Sequence, residues 1–112
     1  MVVYKAIDLQ EGGGVSYSSK VFPVNTFSEL EVQAYGSTTI SDVKVYLSNV
    51  PLPRPPDVFD DSALFYLADS TSLTGNGWLG LTVPLVAQWM YIEIATAALS
   101  PTDQITAWAV MR

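Results

Sequence analysis

Apolar and polar residues alternate along this chain in short runs, and clusters of Gly, Pro, Asn, Asp and Ser separate the runs at fairly even intervals. Strict alternation places successive side chains on opposite faces of an extended backbone, so the pattern predicts strands throughout. Val2 to Leu9 reads as a first strand, and Val15 to Phe22 as a second, with Val15, Tyr17 and Val21 on one side. From Glu29 to Tyr35, Leu30, Val32 and Ala34 point one way and Glu29, Glu31 and Gln33 the other. After Gly36-Ser37, Ile40 to Leu47 turns Val43, Val45 and Leu47 inward, and these two strands are expected to form a hairpin. Ala63 to Ala68, Trp78 to Leu85, Gln88 to Ala95 and Gln104 to Met111 complete a set of about eight, with Ala95 to Leu99 ambiguous between strand end and helical turn.

The breaks are as informative as the runs. Asn49 to Asp61 holds four prolines, at 51, 53, 55 and 56, which fix φ and remove ladder donors, so this is the principal loop. Gly12-Gly13-Gly14 is a hinge or linker; it lacks the Lys-Ser/Thr ending and the following helix of a phosphate cradle. Asn76-Gly77 is a turn. Eight short antiparallel strands in a chain of this size suit an all-β, two-sheet sandwich of jelly-roll type. Residues 1–112 are expected to form one domain, and a chain of 112 residues buries roughly two-thirds of its unfolded surface, enough for a core without staples.

Composition narrows the function. Hydrophobic residues make up 49% of the chain and charged residues 14%, against about 25% charged in an ordinary soluble domain. Apolar side chains are therefore left over for a partner, and a homo-oligomer is expected. The net charge of −6, from 11 acidic and 5 basic residues, argues against nucleic acid and against anionic membranes. No signal-peptide core is visible between Met1 and Gly14, and the apolar stretch Trp78 to Ala87 is too short for a bilayer, so a soluble protein is expected.

The chain has no cysteine and no histidine, which removes disulfides, thiolate and imidazole metal ligands, and Ser-His or Cys-His nucleophilic machinery. Asp57, Asp60 and Asp61 are the one local acidic cluster; their spacing matches no calcium loop, and turn-capping explains them better than a metal or a glycosidase pair. The reading is therefore a non-enzyme with no catalytic residues, cofactor or metal. The aromatic residues carry more. For any single tryptophan, filling the sandwich core is the first expectation; yet Trp89, Tyr91 and Trp108 alternate away from the aliphatic faces of their own strands, so if the last two strands are neighbours they make an outer aromatic patch, either filling an interface between subunits or open to a ligand.

The run FSELEVQAYGSTTISDVKVYLSN from Phe27 to Asn49, with MYIEIATAALSPTDQITAWAVMR from Met90 to Arg112, resembles small β-sandwich proteins of tailed-phage virions. In these a strand, a Gly-Ser/Thr turn and a second strand ending near Ser-Asn precede a closing pair with a Tyr-Ile-x-Ile pattern. The resemblance implies a capsid decoration or cement protein, made in the host cytoplasm and bound to the capsid exterior as a trimer, with the major capsid protein as partner. Trp89, Tyr91, Trp108, Val15 and Tyr17 are then the expected contact residues, and residues 1–20 a candidate arm or simply the first two strands. The alternative is a carbohydrate-binding sandwich module, with Trp78, Trp89 or Trp108 as the stacking platform and Asp60, Asp61 or Asn76 as polar partners.

Overall fold

The computed structural model describes residues 1–7, 16–49, 65–96 and 103–112. These form nine strands: β1 Val2–Ile7, β2 Ser16–Ser18, β3 Phe22–Pro23, β4 Glu29–Gly36, β5 Ile40–Ser48, β6 Tyr66–Thr71, β7 Gly77–Pro84, β8 Trp89–Thr96 and β9 Ile105–Met111. One sheet, here called sheet A, has the order β1-β9-β4-β7; sheet B has the order β2-β8-β5-β6, with β3 also on β8. Every pairing is antiparallel. Counting β2 and β3 as halves of one strand leaves four nested pairs, β1 with β9, β2/β3 with β8, β4 with β7 and β5 with β6. Rolling that ribbon brings β4 onto β9 and β5 onto β8. This is the jelly roll that the alternation predicts.

The central strands supply the core because their alternation is cleanest. Leu30, Val32 and Ala34 of β4, and Ile105, Ala107, Ala109 and Met111 of β9, face Val43, Val45 and Leu47 of β5 and Met90, Ile92 and Ile94 of β8, all buried. Each such aliphatic side chain taken from water contributes roughly 1.5–3 kcal/mol, and the two inner faces interdigitate as sandwiches require.

Three expectations change on contact with the structure. The hairpin between Glu29–Tyr35 and Ile40–Leu47 does not form, because β4 pairs with β7 and β9 whereas β5 pairs with β6 and β8. Both inner faces are fully apolar, so the two strands bury more by facing each other across the sandwich than by lying side by side. The strand expected at Ala63–Ala68 runs from Tyr66 to Thr71 instead. It is the edge of sheet B, its polar Asp69 and Ser70 are exposed, and a register shift between Val45 and Tyr46 offsets it, so apolar alternation does not mark its end. The single strand expected from Val15 to Phe22 is broken in two. From Ser18 opposite Glu93 to Phe22 opposite Met90 the chain takes four steps against three on β8, an extra residue that makes a bulge.

The N-terminal segment is sheet, not arm, where it is described: Val2, Val3, Tyr4, Lys5 and Ile7 each pair with a residue of β9. Tyr4 stacks on Phe22 at 5.3 Å between ring centroids, which ties β1 to β3. Val15, Gly12 to Gly14, the proline-rich loop and Asp57, Asp60 and Asp61 lie outside the described residues.

Candidate binding faces on the two sheets

The outward residues of sheet A follow from the register. Gln33 of β4 stands between Trp108 of β9 and Gly80 of β7, and Trp108 in turn lies opposite Lys5 of β1. One line across the sheet thus reads Lys5, Trp108, Gln33, Gly80. The next line places Tyr35 between Thr106 and Trp78, and the line on the other side places Glu31 between Val110 and Thr82. Lys5 Nζ sits 5.1 Å from the centre of the Trp108 ring, a cation–π contact. Tyr35 and Trp78 pack at 5.1 Å with a tilt of 50°, and Trp78 stays 61% exposed. Since Gly80 has no side chain, an open groove of about 300 Å³ remains, lined by Glu31, Gln33, Trp78, Leu79 and Gly80.

The polar side of that groove is braced. Gln33 Nε2 donates to Glu31 Oε1 at 2.8 Å, and Arg112 donates to Glu31 Oε2 at 3.1 Å and to Glu29 Oε1 at 2.7 Å. The hydrogen bond from Gln33, then that from Arg112, holds the Glu31 carboxyl below its usual value of 4.5, and Glu31 in turn raises the Arg112 guanidinium. A carboxyl favoured as the anion in the fold stabilises it above its unfolded pKa, and the contribution fades as pH falls through the lower folded value. Glu31→Gln should therefore cost a little stability at pH 7 and less at pH 3. Urea midpoints of the two proteins at both pH values test this; an equal gap at both would mean the charge is not responsible.

Sheet B presents a different outer face. Tyr46 and Tyr91 stack at 4.7 Å with a tilt of 12°, and Phe65 meets Tyr91 edge-on at 5.0 Å. Tyr91 is buried by these neighbours, and burial, then Tyr46 and Glu93, pushes its hydroxyl above the ordinary range. Trp89 lies opposite Pro23 on one side and Ser48 on the other. Beyond them, at the edge, Tyr66 and Leu67 are about half exposed, at 47% and 50%.

The expected patch of Trp89, Tyr91 and Trp108 is not one surface. β8 hydrogen-bonds to β5 and to β2/β3, and β9 to β1 and β4, so Trp89 and Tyr91 lie outside sheet B and Trp108 outside sheet A. Tyr17 of β2 is turned towards the core rather than outwards, and its hydroxyl, like the Trp89 indole Nε1, is buried without a hydrogen-bond partner among the described residues. Asn76 spends its amide on the Ser37 carbonyl at 3.4 Å. Of the three tryptophans named as stacking platforms, Trp78 alone combines high exposure with a groove beside it. Glu31, Gln33 and Gly80 were not expected; they sit on a polar strand face and in an apolar run, and only the cross-strand register brings them to Trp78.

Fold and faces together define a compact jelly-roll sandwich with one polar–aromatic and one aromatic outer surface. No protein-family model matches the sequence, and no curated protein sequence does. Solved structures with this fold include two phage-derived proteins. The PBSX exported protein XepA superposes with a TM-score of 0.71 at 10% identity, over 98% of this chain and 36% of that one. The SPBc2 prophage-derived protein YomS superposes with a TM-score of 0.54 at 17% identity, over 99% of this chain and 92% of that one. The K1 cleaved adhesin domain of Lys-gingipain from Porphyromonas gingivalis W83 follows at 0.55 and 12% identity, over 93% and 72%. At these identities the likeness is one of fold.

Proposed function

We propose that this chain is a non-catalytic structural protein of a phage particle, a decoration protein that binds the major capsid protein on the capsid exterior and associates with its own copies as a trimer. The observation that supports it most is the match to the prophage protein YomS, which runs over 99% of this chain and 92% of the other, a sandwich of similar extent. The low charge content and the half-exposed Leu67, opposite Tyr46 of the Tyr46–Tyr91 stack, favour self-association through the outer face of sheet B, where Trp89 and Tyr91 also lie. Obligate interfaces are apolar in this way. The lack of histidine and cysteine leaves few routes to catalysis.

Light scattering behind a sizing column gives the native mass. A trimer that falls to a monomer in Leu67→Glu, together with cosedimentation of the chain with capsids of the virus that encodes it, is the expected result. A wild-type monomer that stays in the supernatant would overturn the reading.

A further inference from the structure

Gly80 is the odd residue of sheet A. It lies within an edge strand, faces outwards, and its backbone is not in the left-handed region that favours glycine. A Cβ built on it meets nothing nearer than the Val32 carbonyl oxygen, at 3.9 Å. Neither sterics nor backbone geometry therefore demands glycine there, although glycine weakens a strand. A strand-interior glycine marks a bulge, a tight bend or a place where a ligand or another backbone comes close, and the β4–β7 register runs through Gly80 without a shift. What the missing side chain creates is the hollow between Trp78, Gln33 and Glu31.

We infer that this hollow binds a neutral polysaccharide, one built of β-linked pyranoses with equatorial hydroxyls. Such rings present an apolar C–H face and a polar rim. Trp78, 61% exposed and steadied on one side by Tyr35, offers the apolar plate. Glu31 and Gln33 supply the polar edge: a carboxylate and an amide that accept and donate to hydroxyls, preset by the hydrogen bond between them and by Arg112. Gly80 lets the ring settle onto the strand between them. This is the composition of small-ligand sites, an aromatic wall with few fixed polar groups, and a volume of about 300 Å³ is at the low end of their range of roughly 300–1,000 Å³. It fits a short stretch of a glycan chain.

Charge selects among glycans. Glu31 is held as an anion and the chain carries a net −6, so uronate or other acidic polymers are repelled while neutral hydroxyls are welcomed. A second copy of the chain suits this face poorly, because Glu29, Glu31, Gln33 and Arg112 break its apolar surface and the hollow leaves no flat plane to pack. The inference stands apart from the virion reading, since it needs one copy and no capsid.

The test is affinity gel electrophoresis of the whole protein in gels containing soluble β-1,4-glucan, glycol chitin or polygalacturonate. Wild type should be retarded by at least one of the two neutral polymers and not by the acidic one. Trp78→Ala should weaken that binding about tenfold or more, as loss of an aromatic anchor does. Gly80→Leu, which fills the hollow at an open position, should weaken it to the same degree, whereas Leu67→Glu on sheet B should bind as wild type. No retardation by either neutral polymer, or wild-type retardation of both groove variants, overturns the inference. Because Leu67→Glu reports on assembly and the groove variants on glycan, failure of one proposal is distinguishable from failure of the other.

Discussion

Gly36→Val is expected to lower the stability of the domain by about 3 kcal/mol or more, the upper end of what overpacking does. Gly36 ends β4, is buried, and lies between Gly77 of β7 and Ile105 of β9. A Cβ built there falls 2.7 Å from the Thr38 carbonyl oxygen, 2.9 Å from Ile40 Cγ1 and 3.1 Å from Ile105 Cδ1. The Ile105 methyl end can rotate away; Ile40 Cγ1 belongs to a stiff β-branched side chain, and the Thr38 oxygen is backbone and cannot move alone. That backbone is the corner by which the chain leaves sheet A and enters sheet B, so relieving the clash means moving one sheet relative to the other. Domains of this kind hold only about 5–15 kcal/mol in total, and a loss of this size should show as a large fall in urea midpoint. Gly80→Ala is the control, because its Cβ meets only the Val32 carbonyl oxygen at an unstrained 3.9 Å and its unfolded chain loses entropy; it should be neutral or slightly stabilising. Equal shifts in the two variants would show that the corner is not tight.

The same corner explains how far the sequence could be read. The faces of β4, β5, β8 and β9 were legible residue by residue, because period-two alternation is a local property and each inward aliphatic residue named from it is buried. Pairing is not local. Gly36-Ser37 between two alternating runs looks like a hairpin turn, and nothing in those residues says that the chain crosses between sheets instead. The consequence reaches the candidate sites: Trp89 and Trp108 read as neighbours because their strands follow each other, yet consecutive strands of a jelly roll commonly belong to opposite sheets. Trp78 could be named from the sequence as a stacking residue, but not its neighbours Gln33 and Glu31, which are more than 40 positions away and reach it only through the β4–β7 register. Edge strands were the least legible. β6 is half solvated on its faces, so its alternation is diluted, and the break between β2 and β3 depends on one hydroxyl.

That hydroxyl belongs to Ser19, and its removal is the second large effect expected. At the bulge, Ser19 N–H still donates to the Ile92 carbonyl at 2.8 Å, as in an ordinary antiparallel pair. The return bond is different: Ile92 N–H donates at 2.8 Å to Ser19 Oγ, a side chain standing in for the main-chain carbonyl, and the hydroxyl donates its own hydrogen bond to the Lys20 carbonyl at 2.8 Å. Ser19 and Ile92 are both buried, so water does not replace the lost acceptor. Ser19→Ala leaves Ile92 N–H unsatisfied in the middle of sheet B and should cost about 1–3 kcal/mol. Threonine and valine at this position separate hydrogen bonding from packing, since they have nearly the same volume and only threonine keeps the oxygen. Ser19→Thr should be the more stable of the two by a similar margin, and amide exchange at Ile92 should quicken in the alanine and valine variants but not in the threonine one. If Ile92 exchanges alike in all three, the carbonyl of Ser19 has swung in to take the bond, and the bulge is held by packing of Phe22 and Tyr17 against the core instead of by the serine.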